Sequence, residues 1–189
     1  MKNILILGAK GDLAKSLYKN IDKGNNKIYK LEKKDINFLN LNSQKKLFLF
    51  LKKINPDVII NCIGYFDTNK GDFDLITKSN LYPAWLLIKY FLKNKECKVK
   101  IICIGSSSYN QPRKNYILYA ATKTALNNML ASAKELFRGS KINFYVINPP
   151  AMKSRMRSKV LRLLNLKDKD KTSENLDKIA KKIIKKFKI

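Results

Sequence analysis

A short apolar run, Asn3-Ile4-Leu5-Ile6-Leu7, leads directly into Gly8-Ala9-Lys10-Gly11-Asp12-Leu13-Ala14 and then into a helical stretch reaching about Asn20. Such a run, with β-branched content, suits a strand buried on both faces of a parallel sheet. The two glycines allow a tight turn and close backbone approach. Ala14, in the third position of this Gly-x-x-Gly-x-x-Ala spacing, still permits close helix–strand packing. The helix N-terminus then offers unpaired N–H groups and the positive end of its dipole to a pyrophosphate. An ordinary βα turn uses the same residue types, so the rest of the chain has to decide between the two.

Downstream, strand and helix patterns alternate. Strands are expected near 3–7, 27–31, 57–62, 99–104 and 142–147, and helices near 11–20, 43–54, 79–94, 117–137, 155–165 and 173–187, with Asp35-Ile36 as a very short extra strand. Helices of crossover length between strands predict one doubly wound α/β domain over residues 1–189, a Rossmann-like parallel sheet with helices on both faces. Ligands in such sheets bind beyond the carboxyl ends of the strands. Those ends fall at Gly8, Gly64, Ser106 and Pro149, so the candidate functional residues converge on one edge.

Near one of those ends, Tyr119 and Lys123 stand four apart on an expected helix, after the cluster Ser106-Ser107-Ser108. Positions i and i+4 share a helix face. A phenol beside an ammonium makes a proton-transfer pair: Lys123 is expected to lower the Tyr119 pKa, and a serine hydroxyl to hold a substrate carbonyl. Bringing a phenol from ~10 to neutrality takes about 3 units, or roughly 4 kcal/mol. Without other support, the pair is equally an unremarkable surface feature.

The 189 residues include no histidine, which excludes His-based triads and His-ligated metals; no metal site is expected. Cys62, Cys97 and Cys103 lack metal-ligand spacing and suit free thiols in a reducing cytoplasm. No segment has the length of a membrane span, and the first apolar run is too short for a signal peptide. The formal charge of +26 comes from 35 lysines and 5 arginines against 14 acidic residues, spread along the whole chain. Arginine forks and aromatic-interleaved basic strands are missing, so no dedicated nucleic-acid partner is expected, although the charge favours anionic substrates. The lysine-rich stretch Lys178–Lys188 reads as an amphipathic capping helix, with a polyanion-binding tail as the alternative. At the end of the second strand Glu32 favours NAD(H), whereas Lys10, Lys33 and Lys34 favour NADP(H); the balance leans to NADP(H).

Taken together, these residues resemble the short-chain dehydrogenase/reductase family from about residue 3 to about residue 157. Gly8, Gly11 and Ala14 fall on its glycine loop, which carries Lys10, Asp12 and Leu13 with it. Asp35-Ile36 falls on the short strand whose aspartate approaches the adenine. The segment ending Asn61-Cys62-Ile63-Gly64 resembles the family's Asn-Asn-Ala-Gly strand end, with Cys62-Ile63 as a departure. Asn80 lies where the family places a helix asparagine of its proton relay. Ser106 stands 13 positions before Tyr119, a family-like interval. Asn148-Pro149-Pro150, followed by Ser154, resembles the segment that holds the nicotinamide carboxamide, with Pro150 in place of a glycine.

The resemblance implies an NAD(P)-dependent oxidoreductase acting on a small carbonyl or alcohol, anionic or nucleotide-linked in one reading. Its implied catalytic residues are Ser106, Tyr119, Lys123 and Asn80. The implied cofactor contacts are Gly8, Lys10, Gly11, Asp12, Leu13, Asp35, Ile36, Asn61, Cys62, Gly64, Tyr119, Lys123, Pro149 and Ser154. A homodimer through the helices at 79–94 and 117–137 is also implied. With no long substrate-binding insertion after residue 157, the pocket is expected to be shallow or completed by a partner subunit. A nucleotide-sugar epimerase or dehydratase on the same scaffold, and a sensor that binds NAD(P) without turnover, remain as alternatives.

Overall fold

In the computed structural model, which describes residues 1–40, 42–166 and 173–189, the expected alternation is present. The strands are β1 (Lys2–Leu7), β2 (Asn26–Leu31), β3 (Val58–Asn61), β4 (Val99–Ile104) and β5 (Ile142–Ile147). The helices are α1 (Asp12–Asn20), α2 (Ser43–Ile54), α3 (Phe73–Leu92), α4 (Ile117–Leu136), α5 (Arg155–Leu163) and α6 (Leu176–Phe187), with a 3-10 turn at Ser107–Asn110. All strand pairs are parallel, in the order β2-β1-β3-β4-β5. Strand order reverses at β1, so the crevice between the ends of β1 and β3 is the topological switch point, where such sheets bind ligands.

Alternating strand side chains feed two cores. Leu5, Leu7, Ile59, Ile101 and Phe144 pack on one face beneath α2, α3 and α4. Ile4, Ile6, Val58, Ile60 and Ile102 pack on the other against α1 and α6. The lysine-rich C-terminal stretch is a capping helix: Ile179, Ala180, Ile183 and Phe187 are buried, each large side chain contributing about 1.5–3 kcal/mol. Asp177, in its first turn, receives Lys19 at 3.2 Å and Asn20 at 3.2 Å, which fixes α6 to α1.

Two expectations are corrected here. Asp35 and Ile36 form no strand. The Asp35 carboxylate accepts the Glu32 N–H at 2.8 Å, and the Asp35 and Ile36 amides return to the Glu32 carbonyl, closing a turn instead of a ladder. Helix α3 begins at Phe73, six residues before the expected start, because Asp72 caps it by accepting the Leu75 N–H at 2.5 Å.

Candidate active site

Gly8 turns the chain out of β1 at φ +73°, a left-handed conformation that favours glycine, and a Cβ there would stand 3.0 Å from Ile63 and 3.1 Å from its backbone nitrogen. The Gly8 and Ala9 amides bond to the Leu31 carbonyl, and Gly11 closes onto Gly8 at 2.9 Å. Gly11 occupies the N-cap of α1 with no side-chain cap, so the first-turn N–H groups have no capping acceptor. Gly11, Asp12 and Leu13 line a cavity of about 680 Å³. Asp12 is engaged across that cavity: its two oxygens accept the Arg155 backbone N–H and Nε, each at 2.7 Å, while Arg155 also donates to the Lys10 carbonyl at 2.6 Å.

A second cavity of about 370 Å³ adjoins the first and shares Gly11, Cys62, Ile63 and Gly64 with it. Gly8, Lys10, Glu32, Lys33 and Ile36 line it, but Asp35 and Asn61 do not. Asp35 is turned onto its own loop, as described above. Asn61 is buried, accepting from Ile63 N at 3.1 Å and facing the Cys103 sulfur at 3.8 Å, so it braces the end of β3 from inside. Glu32 Oε2 is buried without a hydrogen-bond donor, although Lys10 and Lys34 approach it at 3.4 and 3.9 Å without hydrogen-bonding geometry.

At the other end, the larger cavity gathers Ser106, Tyr119, Lys123, Pro149 and Ser154. Tyr119 and Lys123 are buried on one face of α4, at 8% and 3% exposure. The Ser106 side chain and the Tyr119 phenol line the same cavity, near enough for Ser106 to favour the phenolate. Lys123 Nζ donates to the Ile104 carbonyl at 3.2 Å and lies 5.7 Å from the Tyr119 ring centroid. Burial pushes the Tyr119 phenol above its ordinary value, against the lowering effect of Ser106. That corrects the expectation that Lys123 depresses it, because the ammonium is directed to a backbone carbonyl and not to the phenol. Burial lowers Lys123 itself to about 8. Pro149 accepts the Ser107 N–H at 3.2 Å, and Ser154 caps α5 by accepting the Arg157 N–H.

Asn80 lies beside this group without lining the cavity. Its side chain accepts from Tyr65 N at 2.9 Å and donates to Tyr65 O and Thr122 Oγ1, both at 3.0 Å. It therefore pins the bend after Gly64 to α4. The larger cavity has one further wall. Helix α5 walls it, tied to α1 through Arg155 and to the loop after β3 through Lys159, which donates to Phe66 O at 3.0 Å and faces Asp67 at 3.6 Å.

The sequence reading missed several parts. Phe66 and Tyr116 pack edge-on around Tyr119, with ring centroids 5.0 and 6.0 Å from it. Arg113 lines the same cavity. Asn127 and Asn148 bridge α4 to the Ser106 backbone. A signal existed for Asn127, which stands one turn beyond Lys123 on the same helix face. Among the described residues there is no cluster of three His, Cys, Asp or Glu fit for a metal, and no helix long and apolar enough to cross a membrane.

Fold and cleft together define a Rossmann-like α/β protein whose two-lobed crevice lies at the strand ends. The residues fit a dinucleotide: an uncapped helix N-terminus behind a glycine turn in one lobe, and the Glu32 carboxylate, with an oxygen that accepts no hydrogen bond, in the other. Residues 51–163 match the model of the short chain dehydrogenase family, more than half of the chain, and the chain belongs to that family. Its class is that of the NAD(P)-dependent oxidoreductases. Residues 1–74 also match a model described as RmlD substrate binding domain.

Solved structures share the fold. A short chain dehydrogenase family protein from Francisella tularensis superposes with a TM-score of 0.82 at 14% identity, covering 97% of this chain and 90% of that one. A 3-ketoacyl-(acyl-carrier-protein) reductase from Brucella melitensis, complexed with NADH, gives 0.80 at 16% identity, covering 96% and 88%. The dTDP-4-dehydrorhamnose reductase from Bacillus anthracis, in complex with NADP, gives 0.61 at 19% identity, covering 78% of this chain and 52% of that one. No curated protein matches the sequence significantly.

Proposed function

We propose that this chain catalyses hydride transfer between a nicotinamide cofactor and a carbonyl or alcohol carbon, with Tyr119 as general acid and base. The observation that carries the reading is the meeting of the Tyr119 phenol, the Ser106 hydroxyl and the buried Lys123 in a cavity that continues to the glycine turn. When bound, the nicotinamide supplies or accepts the hydride. Tyr119 holds the proton that the substrate oxygen takes up on reduction and returns on oxidation, an effect of about 10²–10⁴ in rate. Ser106 orients that oxygen. Lys123, cationic at neutral pH and held by the Ile104 carbonyl, would hold the nicotinamide ribose. Asn80 acts as a positioning residue, through Tyr65 and Thr122.

The first-turn N–H groups after Gly11 would hold the pyrophosphate, Pro149 and Ser154 the carboxamide, and Ile36 the adenine side. Of the three lysines behind the lean to NADP(H), Lys10 and Lys34 lie against Glu32, while Lys33 lines the second cavity. A buried carboxylate oxygen in need of a donor suits a ribose hydroxyl and repels a phosphate, so Glu32 supports NAD(H). The match of residues 1–74 supports a nucleotide-linked sugar as one substrate to try. Exposed Trp85 and Leu92 on α3, with Leu136 on α4, support a homodimer through these helices. Free Cys62, Cys97 and Cys103 are in keeping with a reducing, cytoplasmic setting.

The test is nicotinamide absorbance, with NADH and NADPH, against a carbonyl panel that includes a nucleotide-linked keto-sugar. Turnover that depends on Tyr119 supports the proposal. Tight cofactor binding with no turnover of any member would favour a sensor, and cofactor retained through a net redox-neutral conversion would favour an epimerase or dehydratase.

A further inference from the structure

Charge in this chain is carried by lysine, yet three of its five arginines, Arg113, Arg155 and Arg157, line the one cavity that holds Tyr119. The planar guanidinium differs from a lysine ammonium in presenting paired donors to carboxylate or phosphate oxygens. Arg155 is committed to Asp12 and Lys10, as above. Arg113 is held differently. It sits in the loop between the 3-10 turn and α4, and one terminal nitrogen donates to Gln111 Oε1 at 2.5 Å, which fixes the plane of the fork. Its Nε is buried with no hydrogen-bond partner among the described residues. That nitrogen is closed off from solvent, so an incoming anion meets the guanidinium where Arg113 lines the cavity.

The surroundings define that acceptor. Asp12 is the only acidic residue lining the cavity among the described residues, and Arg155 already neutralises it. Phe66, Tyr116 and Val160 supply apolar and aromatic wall to the same cavity. Arg113 enters the cavity from the Tyr119 end of the chain: its carbonyl accepts the Tyr116 N–H at 3.2 Å, just before α4 brings in Tyr119.

We propose that Arg113 forms an anion subsite for the substrate, so that the carbonyl compound turned over carries a carboxylate or phosphate. This rests on the oxidoreductase reading for the word substrate, but the anion subsite is testable by itself.

Two measurements separate the claims. Isothermal titration of the protein–NADH complex with acetoacetate and with dihydroxyacetone phosphate, at roughly 0.3 M KCl to screen the general positive field, reads anion binding directly. Steady-state turnover of each against its neutral counterpart, methyl acetoacetate and dihydroxyacetone, reads substrate preference. The expected result is binding of at least one of the two anions that weakens about tenfold or more in Arg113→Gln, with a smaller loss in Arg113→Lys, which keeps the charge but not the fork. Arg138→Gln, the same charge change at an exposed site just beyond the C-terminal end of α4, is expected to leave binding within about twofold.

The carboxylate and phosphate arms identify which headgroup is recognised, and the charged member of that pair should be preferred about tenfold or more in kcat/KM. Arg113-dependent binding without turnover of any compound would uphold the subsite and remove the oxidoreductase reading. Turnover without charge preference, or anion binding equally weakened by Arg138→Gln, would overturn the subsite and leave the oxidoreductase reading intact. Absence of anion binding to a folded complex would also overturn it.

Discussion

Asn127 and Asn148 exchange side-chain hydrogen bonds in both directions, at 2.7 and 3.2 Å, and Asn148 Oδ1 also accepts the Ser106 N–H at 3.0 Å. Asn127 is tied to the Lys123 carbonyl at 2.8 Å. The pair therefore locks the strand end that carries Ser106 to the helix that carries Tyr119 and Lys123. Gly105 leaves room for it, since a Cβ there would stand 2.0 Å from Asn148 Oδ1. Asn127→Ala should cost about 1–2 kcal/mol in stability by unpairing half-buried groups. It should also lower kcat about tenfold by displacing Ser106 from Tyr119, with cofactor affinity nearly unchanged. Urea unfolding and a kcat-against-KM comparison check both parts. A destabilised variant with full kcat would show that the bridge serves only the fold.

Tyr119→Phe removes the hydroxyl of a buried side chain and leaves the ring among Phe66 and Tyr116. Its packing survives, so stability and cofactor affinity should each stay within about 1 kcal/mol. Turnover should fall about 10²–10⁴-fold. Fluorescence titration of NADH and absorbance kinetics measure the two. Undiminished turnover would assign the proton to another group.

Glu32 bears on cofactor choice. If its buried oxygen meets a ribose hydroxyl, NADH should bind more tightly than NADPH, and Glu32→Gln should reduce that ratio about tenfold, or roughly 1.4 kcal/mol. Parallel titrations of wild type and variant settle the direction. Preference for NADPH in the wild type would mean that Lys10 and Lys34 swing from Glu32 to the extra phosphate.

Much of this was legible in the chain because it is local. Gly8, Gly11 and the strand ends carry their conformational demands in their own residue types, and Tyr119 with Lys123 needs only helical spacing. The short strand at Asp35 was misread because an aspartate three residues after Glu32 satisfies the backbone locally in place of a ladder. Arg155 with Asp12, and Asn127 with Asn148, are 143 and 21 residues apart. Sheet order and helix packing bring them together, and neither is written in local periodicity. The pKa order was likewise hidden. Spacing puts an ammonium near a phenol, but only the fold shows that Ile104 receives its hydrogen.

Lys123 should make the protein less stable than its own fold allows. Burial lowers its pKa from 10.5 to about 8, so keeping the ammonium charged in the folded state costs about 3 kcal/mol relative to the unfolded chain. Below pH 8 the lysine is protonated in both states and the full cost is present. Between about 8 and 10.5 the unfolded chain binds the proton and the folded one does not, so stability from this group rises with pH. Lys123→Met removes the titration and leaves the Ile104 carbonyl short of one donor, a loss of about 1 kcal/mol. The variant should therefore be more stable than wild type by about 2 kcal/mol at pH 7, with that advantage vanishing towards pH 10, while turnover collapses. Urea unfolding of both proteins at neutral pH and near pH 9.5 measures the difference, in a range below the raised Tyr119 titration. A variant less stable at pH 7 by an amount independent of pH would mean that Lys123 is solvated or paired in the folded protein and carries no buried charge.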